Sequence, residues 1–305
     1  MSRHFLMTVD TELSNFPRPH GIFGRVDGAD WGLQRMIEEF DALELRATFF
    51  LDVYAGNADD LAEQQRAAEL IVARGHDLQL HTHPGPAFDP RRDQLRHYSL
   101  AEQEDIIAFG CRRLEAWTGI RPVLHRAGDW AADHNSLRAL ARQGFRADFS
   151  ASPWSRNCSY TAEVVRGNGW TRSDGMLCGV GTCYQDRLTG RVRRVDLGGV
   201  SFLEAADILA AGVDPLIMTL HSFSLLRYNK SRTQFTGAPD YIERLRRYCR
   251  LARAEWGYQY RTALEAVTEI ESATDGNPPW VALPTTRTLS SAAGLLKSVR
   301  ERLRA

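Results

Sequence analysis

Short apolar runs alternate along this chain with longer stretches whose apolar residues recur every three or four positions. Residues 5–9 (FLMTV), 47–53 (ATFFLDV), 77–83, 123–126, 147–150 and 216–220 (LIMTL) are compact and rich in apolar or β-branched side chains. That pattern predicts strands buried on both faces. Between them, 31–45, 61–74 and 136–143 carry the helical period, the last ending at Gly144. Ser99 and Glu102 form a Ser-x-x-Glu capping box that opens another helix, with Ile107, Cys111 and Leu114 on its apolar face. Ile242, Leu245, Cys249, Ala252 and Trp256 step alternately by three and four, which predicts a helix over 240–256. Residues 258–262 read as a last strand. The stretch 151–200 is rich in Gly, Ser, Cys and Arg, with strands expected near 176–184 and 191–197.

Strands alternating with helices imply βαβ units and a parallel sheet. Seven or eight such units suggest an α/β fold closed into a barrel, regular or distorted. An open doubly wound sheet is the alternative. No G-x-G-x-x-G or Walker sequence follows any strand, so no nucleotide site is indicated. The barrel is expected to occupy residues 1–272. Residues 273–305 are expected to hold a linker and a C-terminal helix with Ala292, Leu296, Val299 and Leu303 on one face. From Arg287 onward there are five basic residues and one acidic. Such a helix lies on an anionic membrane, binds a partner or packs on the barrel.

Composition narrows the picture. The 305 residues carry 38 Lys+Arg against 38 Asp+Glu, and 43% are hydrophobic. A balanced chain of this kind is neither disordered nor a nucleic-acid binder working by bulk charge. The five cysteines are odd in number and form no C-x-x-C pair. They read as small buried apolar residues rather than a disulfide framework. No stretch is long and apolar enough to span a membrane, and the first residues show no signal-peptide pattern. The expected location is the cytoplasm, with the C-terminal helix suited to the inner face of the membrane.

Ionisable residues gather where the strands end. Asp10 and Glu12 follow FLMTV, His81 and His83 close DLQLHTH, Arg126 and Asp129 follow VLH, and His221 follows LIMTL. Charge at the ends of buried strands is costly unless it is paired or metal-bound. In α/β barrels that rim carries the active site. His-x-His on a strand sends both imidazoles to one side. Two histidines and a carboxylate suit a divalent metal with open positions. Asp10 and Glu12, also two apart, leave one carboxylate for the metal and one as a base, with His221 as proton donor. Plainer readings are Asp10 as a turn cap, Arg126 as a structural ion-pair partner and His221 as a core histidine. His76, after Gly75, reads as a turn residue. Trp130, Trp154, Tyr160 and Phe223 lie beside these motifs, as sugar-stacking platforms or as core.

Five stretches, in this order, resemble the polysaccharide deacetylase family, the NodB-homology group of carbohydrate esterases: TVDTE (8–12), ATFFLDV (47–53), GHDLQLHTH (75–83), HRAGDW (125–130) and LIMTLHSFS (216–224). The resemblance implies a distorted (β/α)7 barrel of the NodB-homology type. It implies metal-dependent removal of an acyl group, usually acetyl, from an amino sugar. Asp10 would then be the base and Glu12, His81 and His83 the metal ligands. Arg126 would hold Asp10 ionised, the backbone N–H near Asp129 would meet the oxyanion, and His221 would be the acid. Zinc is the expected ion, and an acylated sugar or glycan precursor the expected substrate. The chain departs from the common pattern. Thr11 separates the two acids, and Gly85 stands where a second histidine usually does. The aspartate that tunes the acid histidine has only Asp148, Asp186 and Asp196 as candidates. Competing readings are an amidohydrolase-like enzyme acting on a non-sugar amide, a non-haem iron oxygenase and a degenerate carbohydrate-binding barrel.

Overall fold

The computed structural model describes residues 3–13, 21–229, 233–273 and 279–304. Ten strands form one curled sheet: β1 (Arg3–Thr11), β2 (Thr48–Asp52), β3 (Asp77–Thr82), β4 (Leu124–Ala127), β5 (Ala147–Asp148), β6 (Asn168–Ser173), β7 (Met176–Val180), β8 (Leu216–His221), β9 (Tyr258–Arg261) and β10 (Trp280–Val281). Their order is β8-β1-β2-β3-β4-β5-β7-β6-β10. The strands from β8 to β7 run parallel, and β6 and β10 are antiparallel additions at one edge. β9 lies on the early part of β1, pairing Arg3 with Tyr258, while β2 takes the later part from Thr8 onward. This is the distorted barrel of the NodB-homology type.

The helices are α1 (Leu33–Ala42), α2 (Ala58–Ala73), α3 (Leu100–Thr118), α4 (His134–Arg142), α5 (Phe202–Ala210), α6 (Pro239–Arg250), α7 (Ala263–Ala273) and α8 (Thr288–Arg304). The capping box of Ser99 and Glu102 opens α3 as expected. The helix expected to reach residue 256 ends its regular turns at Arg250 and widens to a π turn over Leu251–Glu255. The strand expected over 176–184 is broken. At the break, the Thr182 hydroxyl accepts from Ile217 N of β8 at 2.7 Å, and its carbonyl accepts from Val195 N at 2.8 Å, a residue whose own carbonyl accepts from Thr219 N of β8. These bonds span the gap between β7 and β8. Beyond the break, Cys183–Gln185 pairs back on Val192–Arg194.

Alternation along the strands sorts the two faces. Phe5, Met7 and Val9 of β1 join the large core beneath the surrounding helices. Leu6 instead meets Phe50, Leu124, Ile217, Phe149 and Trp170 in a second cluster that α7 covers with Ala263, Ala266 and Val267. Continuing along the same strand faces, the residues turn polar: Thr8 and Asp10, Asp52, His81, Arg126, His221. The barrel is thus apolar at one end and ionisable at the other.

At the chain's end, Trp280–Val281 pairs with Asn168 and Gly169, and α8 begins at Thr288, one turn ahead of Ala292. Arg287 pairs with Asp207 of α5 at 2.6 Å, Gly294 sits against Glu204, and Lys297 donates to the Gly198 carbonyl. Leu289, Leu296 and Val299 remain exposed. Residues 274–278 of the expected linker and the Leu303 side chain lie outside the described residues. All five cysteines are free, and burial pushes the thiol of Cys111 up to about 11. No described helix is long and apolar enough to cross a membrane.

His76 does follow the Gly75 turn, but its ring is buried against Phe40 and Phe49. Its Nδ1 accepts from Ala47 N at 3.2 Å, so the ring must be neutral with its proton on Nε2. Burial lowers its pKa from 6.5 to about 4. The unfolded chain therefore binds the extra proton first, and stability that is full above pH 6.5 is lost as pH falls toward 4. Denaturant unfolding at pH 7, 5.5 and 4.5 should show this loss. His76→Asn, which keeps an acceptor but does not titrate, should flatten the dependence; an unchanged slope would exclude His76 as its source.

Candidate metal centre and active site

Parallel register brings the strand ends level. Asp10 of β1 lies beside His221 of β8; Asp52 of β2 lies beside His81 of β3, which lies beside Arg126 of β4. Glu12 and His83 continue the alternation just past their strands. All seven residues singled out from the sequence, apart from Arg126, line one cavity of about 520 Å³ at this end of the barrel: Asp10, Glu12, His81, His83, Asp129 and His221. Arg126 lies beneath it with no solvent exposure.

Glu12, His81 and His83 each offer a ligand atom within 4.8 Å of the others, the one such cluster among the described residues. Glu12 Oε2 lies 2.8 Å from His83 Nε2 and 3.3 Å from His81 Nε2. The remaining ring nitrogens face acceptors too. His81 Nδ1 meets the Arg126 carbonyl at 2.8 Å, and His83 Nδ1 meets Asp93 at 2.8 Å. A ring with acceptors at both nitrogens is either an imidazolium or a metal ligand whose Nδ1–H is held from behind. Two such rings around one carboxylate fit a divalent cation. Burial opposes ionisation of Glu12, but hydrogen bonds from both histidines hold it well below the usual carboxylate range. Burial likewise opposes charge on His83, yet Asp93 and Glu12 raise its pKa well above the ordinary value.

Asp10 stands beside this cluster. Arg126 Nη1 donates to it at 2.7 Å, Nη2 donates to Thr8 Oγ1 at 3.0 Å and Nε to the Phe149 carbonyl at 3.2 Å. Against the cost of burial, the guanidinium keeps Asp10 below its ordinary pKa. His221 Nε2 is 3.9 Å from Glu12 Oε1, and its ring stacks on Phe223. Asp129 and Trp130 both take left-handed backbone, φ 55° and 60°. Strain of this kind, about 1–3 kcal/mol per residue, persists where the surroundings enforce it.

None of the three candidate aspartates reaches His221. Asp148 accepts from His125, Ser150 and Tyr160 in the core, Asp186 from Thr189, and Asp196 from Arg194 and Gly199. Tyr160 is therefore core rather than a stacking platform. Trp154 and Trp130 line the cavity.

Sequence reasoning missed three residues. Asp52 accepts from His83 N at 3.1 Å, and burial raises its pKa to about 6. Its place at the end of a strand was the available signal. Asp93, in the loop after β3, carries no spacing signal. Gly128 packs against His83 Nε2 so closely that any Cβ would displace the ring.

No family model and no curated protein sequence matches the chain. Solved structures do. A protein from Mycobacterium smegmatis described as a "putative polysaccharide deacetylase" is 14% identical, over 92% of this chain and 95% of that one, with a TM-score of 0.61. The chitin deacetylase of the fungal pathogen Colletotrichum lindemuthianum is 13% identical over 87% of each chain, with a TM-score of 0.48. A CE4 family pseudoenzyme from Bacillus anthracis is 14% identical over 87% of this chain and 66% of that one, with a TM-score of 0.46. The first likeness establishes the fold: this chain has the barrel of the polysaccharide deacetylases.

If Asp93 and Gly128 hold His83 in place, Asp93→Asn and Gly128→Ala should each weaken Zn²⁺ binding about 10–100-fold, measured by competition with a chelating dye. Circular dichroism should be unchanged. Wild-type affinity in both variants would refute the support role.

Proposed function

We propose that the protein is a metal-dependent hydrolase that removes an acyl group, N-acetyl foremost, from a sugar or glycan precursor. One observation carries this reading: a Glu-His-His cluster, a buried carboxylate held ionised by arginine, and a histidine on the neighbouring strand share one cavity. The description of the M. smegmatis protein of the same fold points the same way.

Glu12, His81 and His83 would hold the ion, for which zinc is the first choice given two imidazoles and a carboxylate. Such an ion supplies Lewis acidity at the acyl carbonyl and makes water more acidic. Asp10 takes the proton of the attacking water, and Arg126 keeps that carboxylate ionised and aimed. The main-chain N–H at Asp129, on the left-handed turn of residues 129–130, donates to the developing oxyanion. His221 gives its proton to the departing amine. Asp93 and the Arg126 carbonyl hold the two ligand rings by their Nδ1 atoms.

Acetate release from N-acetylglucosamine, its 1-phosphate and chitooligosaccharides tests the reading. Asp10→Asn and His221→Ala should each lower kcat/KM by about 10²–10⁴-fold with metal content unchanged. His81→Ala/His83→Ala should lose the metal, read by elemental analysis. Full activity in Asp10→Asn, or no release by the zinc-loaded protein, would overturn it.

A precursor sugar of this kind belongs in the cytoplasm, and α8 would meet the membrane's inner face through Leu289, Leu296 and Val299. Replacing these three with serine should abolish binding to anionic liposomes; unchanged binding would remove the membrane contact from the proposal.

A further inference from the structure

One wall of the cavity differs from the metal side. Trp154, Arg156 and Arg194 line it. Arg156 is exposed, and among the described residues no acceptor meets it. Arg194 spends only Nε on Asp196, at 2.9 Å, and lies 4.7 Å from the Trp154 ring, which is 43% exposed. Both terminal nitrogens of Arg194 are without a described acceptor. Of the other charged groups of the cavity, Asp10 is paired with Arg126 and Glu12 lies against the histidines, while the Asp129 carboxylate accepts from the neutral Gln94 amide at 3.3 Å.

The wall is fixed in place. Ser155 Oγ donates to the Asp129 carbonyl at 3.3 Å, tying it to the left-handed turn. Arg96 reaches Asn157 at 3.3 Å and Ser159 at 3.2 Å. Asp196, two residues beyond Arg194, bridges to Thr219 of β8, the strand that ends in His221. Arg194 therefore belongs to the His221 side of the cavity. In the proposed reaction that side receives the departing amine, and hence the sugar ring.

We infer that the acylated sugar carries an anionic group, a phosphate ester or a carboxylate, which Arg156 and Arg194 bind while the ring lies on Trp154. This rests on the hydrolase reading for its sugar and adds the charge. Guanidinium forks match both oxyanions and hold them by paired, charge-assisted hydrogen bonds. A neutral sugar leaves both forks to water.

The test compares zinc-loaded protein acting on N-acetylglucosamine 1-phosphate, N-acetylglucosaminuronate and the neutral methyl glycoside. At least one anionic substrate should exceed the neutral one in kcat/KM by about tenfold or more, and the two arms separate phosphate from carboxylate. Added salt should shrink the ratio. Arg156→Gln should bring it near one and Arg156→Lys should restore part of it. Arg194→Gln gives a second, independent loss. A ratio near one in wild type, or one that survives both glutamine variants, overturns the inference and leaves the hydrolase reading intact. If no sugar is deacylated, calorimetry still decides. Glucosamine 1-phosphate or glucosaminuronate should bind at least tenfold tighter than glucosamine, and no tighter in Arg156→Gln. Equal or absent binding overturns the inference.

Discussion

A guanidinium without solvent must find its acceptors inside the protein, and Arg126 finds three of them, two on β1 and one just after β5. Thr8 and Asp10 belong to β1, Phe149 follows β5, and Phe50 and Trp130 lie 4.4 and 5.0 Å from the charge. Breaking a buried pair by removing one partner costs about 3–5 kcal/mol, because the other charge is left unmatched. The same residue's carbonyl holds the ring of His81. One buried residue thus orients both the candidate base and a candidate ligand. Base and ligand are held through the side chain and the main chain of the same residue.

The remainder of the site follows from parallel register. Neighbouring strands aligned residue by residue present the same face at the same height, so Asp10 meets His221 and Asp52 meets His81. This is why so much was legible in the sequence. Period two places Asp10 with Glu12 and His81 with His83, and the end of each buried strand marks the rim. His83, just past the end of β3, continues that strand's alternation and so faces the same cavity as His81.

What escaped the sequence lacked a period. Asp93 and Arg156 sit on loops, whose geometry is set by tertiary contacts alone. Helix α5 is short and mostly apolar, so it shows little contrast between faces. Its own capping box, Ser201 with Glu204, was the signal available. The single strand expected over 176–184 had the right composition, but Thr182 spends its hydrogen bonds sideways and breaks it. His76 was read from its turn, while its environment was decided by Phe40 and Phe49, remote in sequence.

The pairing of β1 has a consequence for how the chain reaches this state. β1 is a central strand, flanked on one edge by β2, about 40 residues downstream, with β9 on its early part, and on the other by β8, about 210 residues downstream. Loop closure over such separations is slow, and an apolar strand without partners is prone to wrong association. During vectorial synthesis the later part of β1 can pair with β2 soon after both are made, but its other edge and its early part wait for β8 and β9. Local units such as β1-β2-β3 and β3-α3-β4 are free to form meanwhile, but the barrel stays open at β1. The open edge of β1 is therefore the part of the sheet most exposed to wrong association until β8 and β9, among the last parts of the barrel, are made.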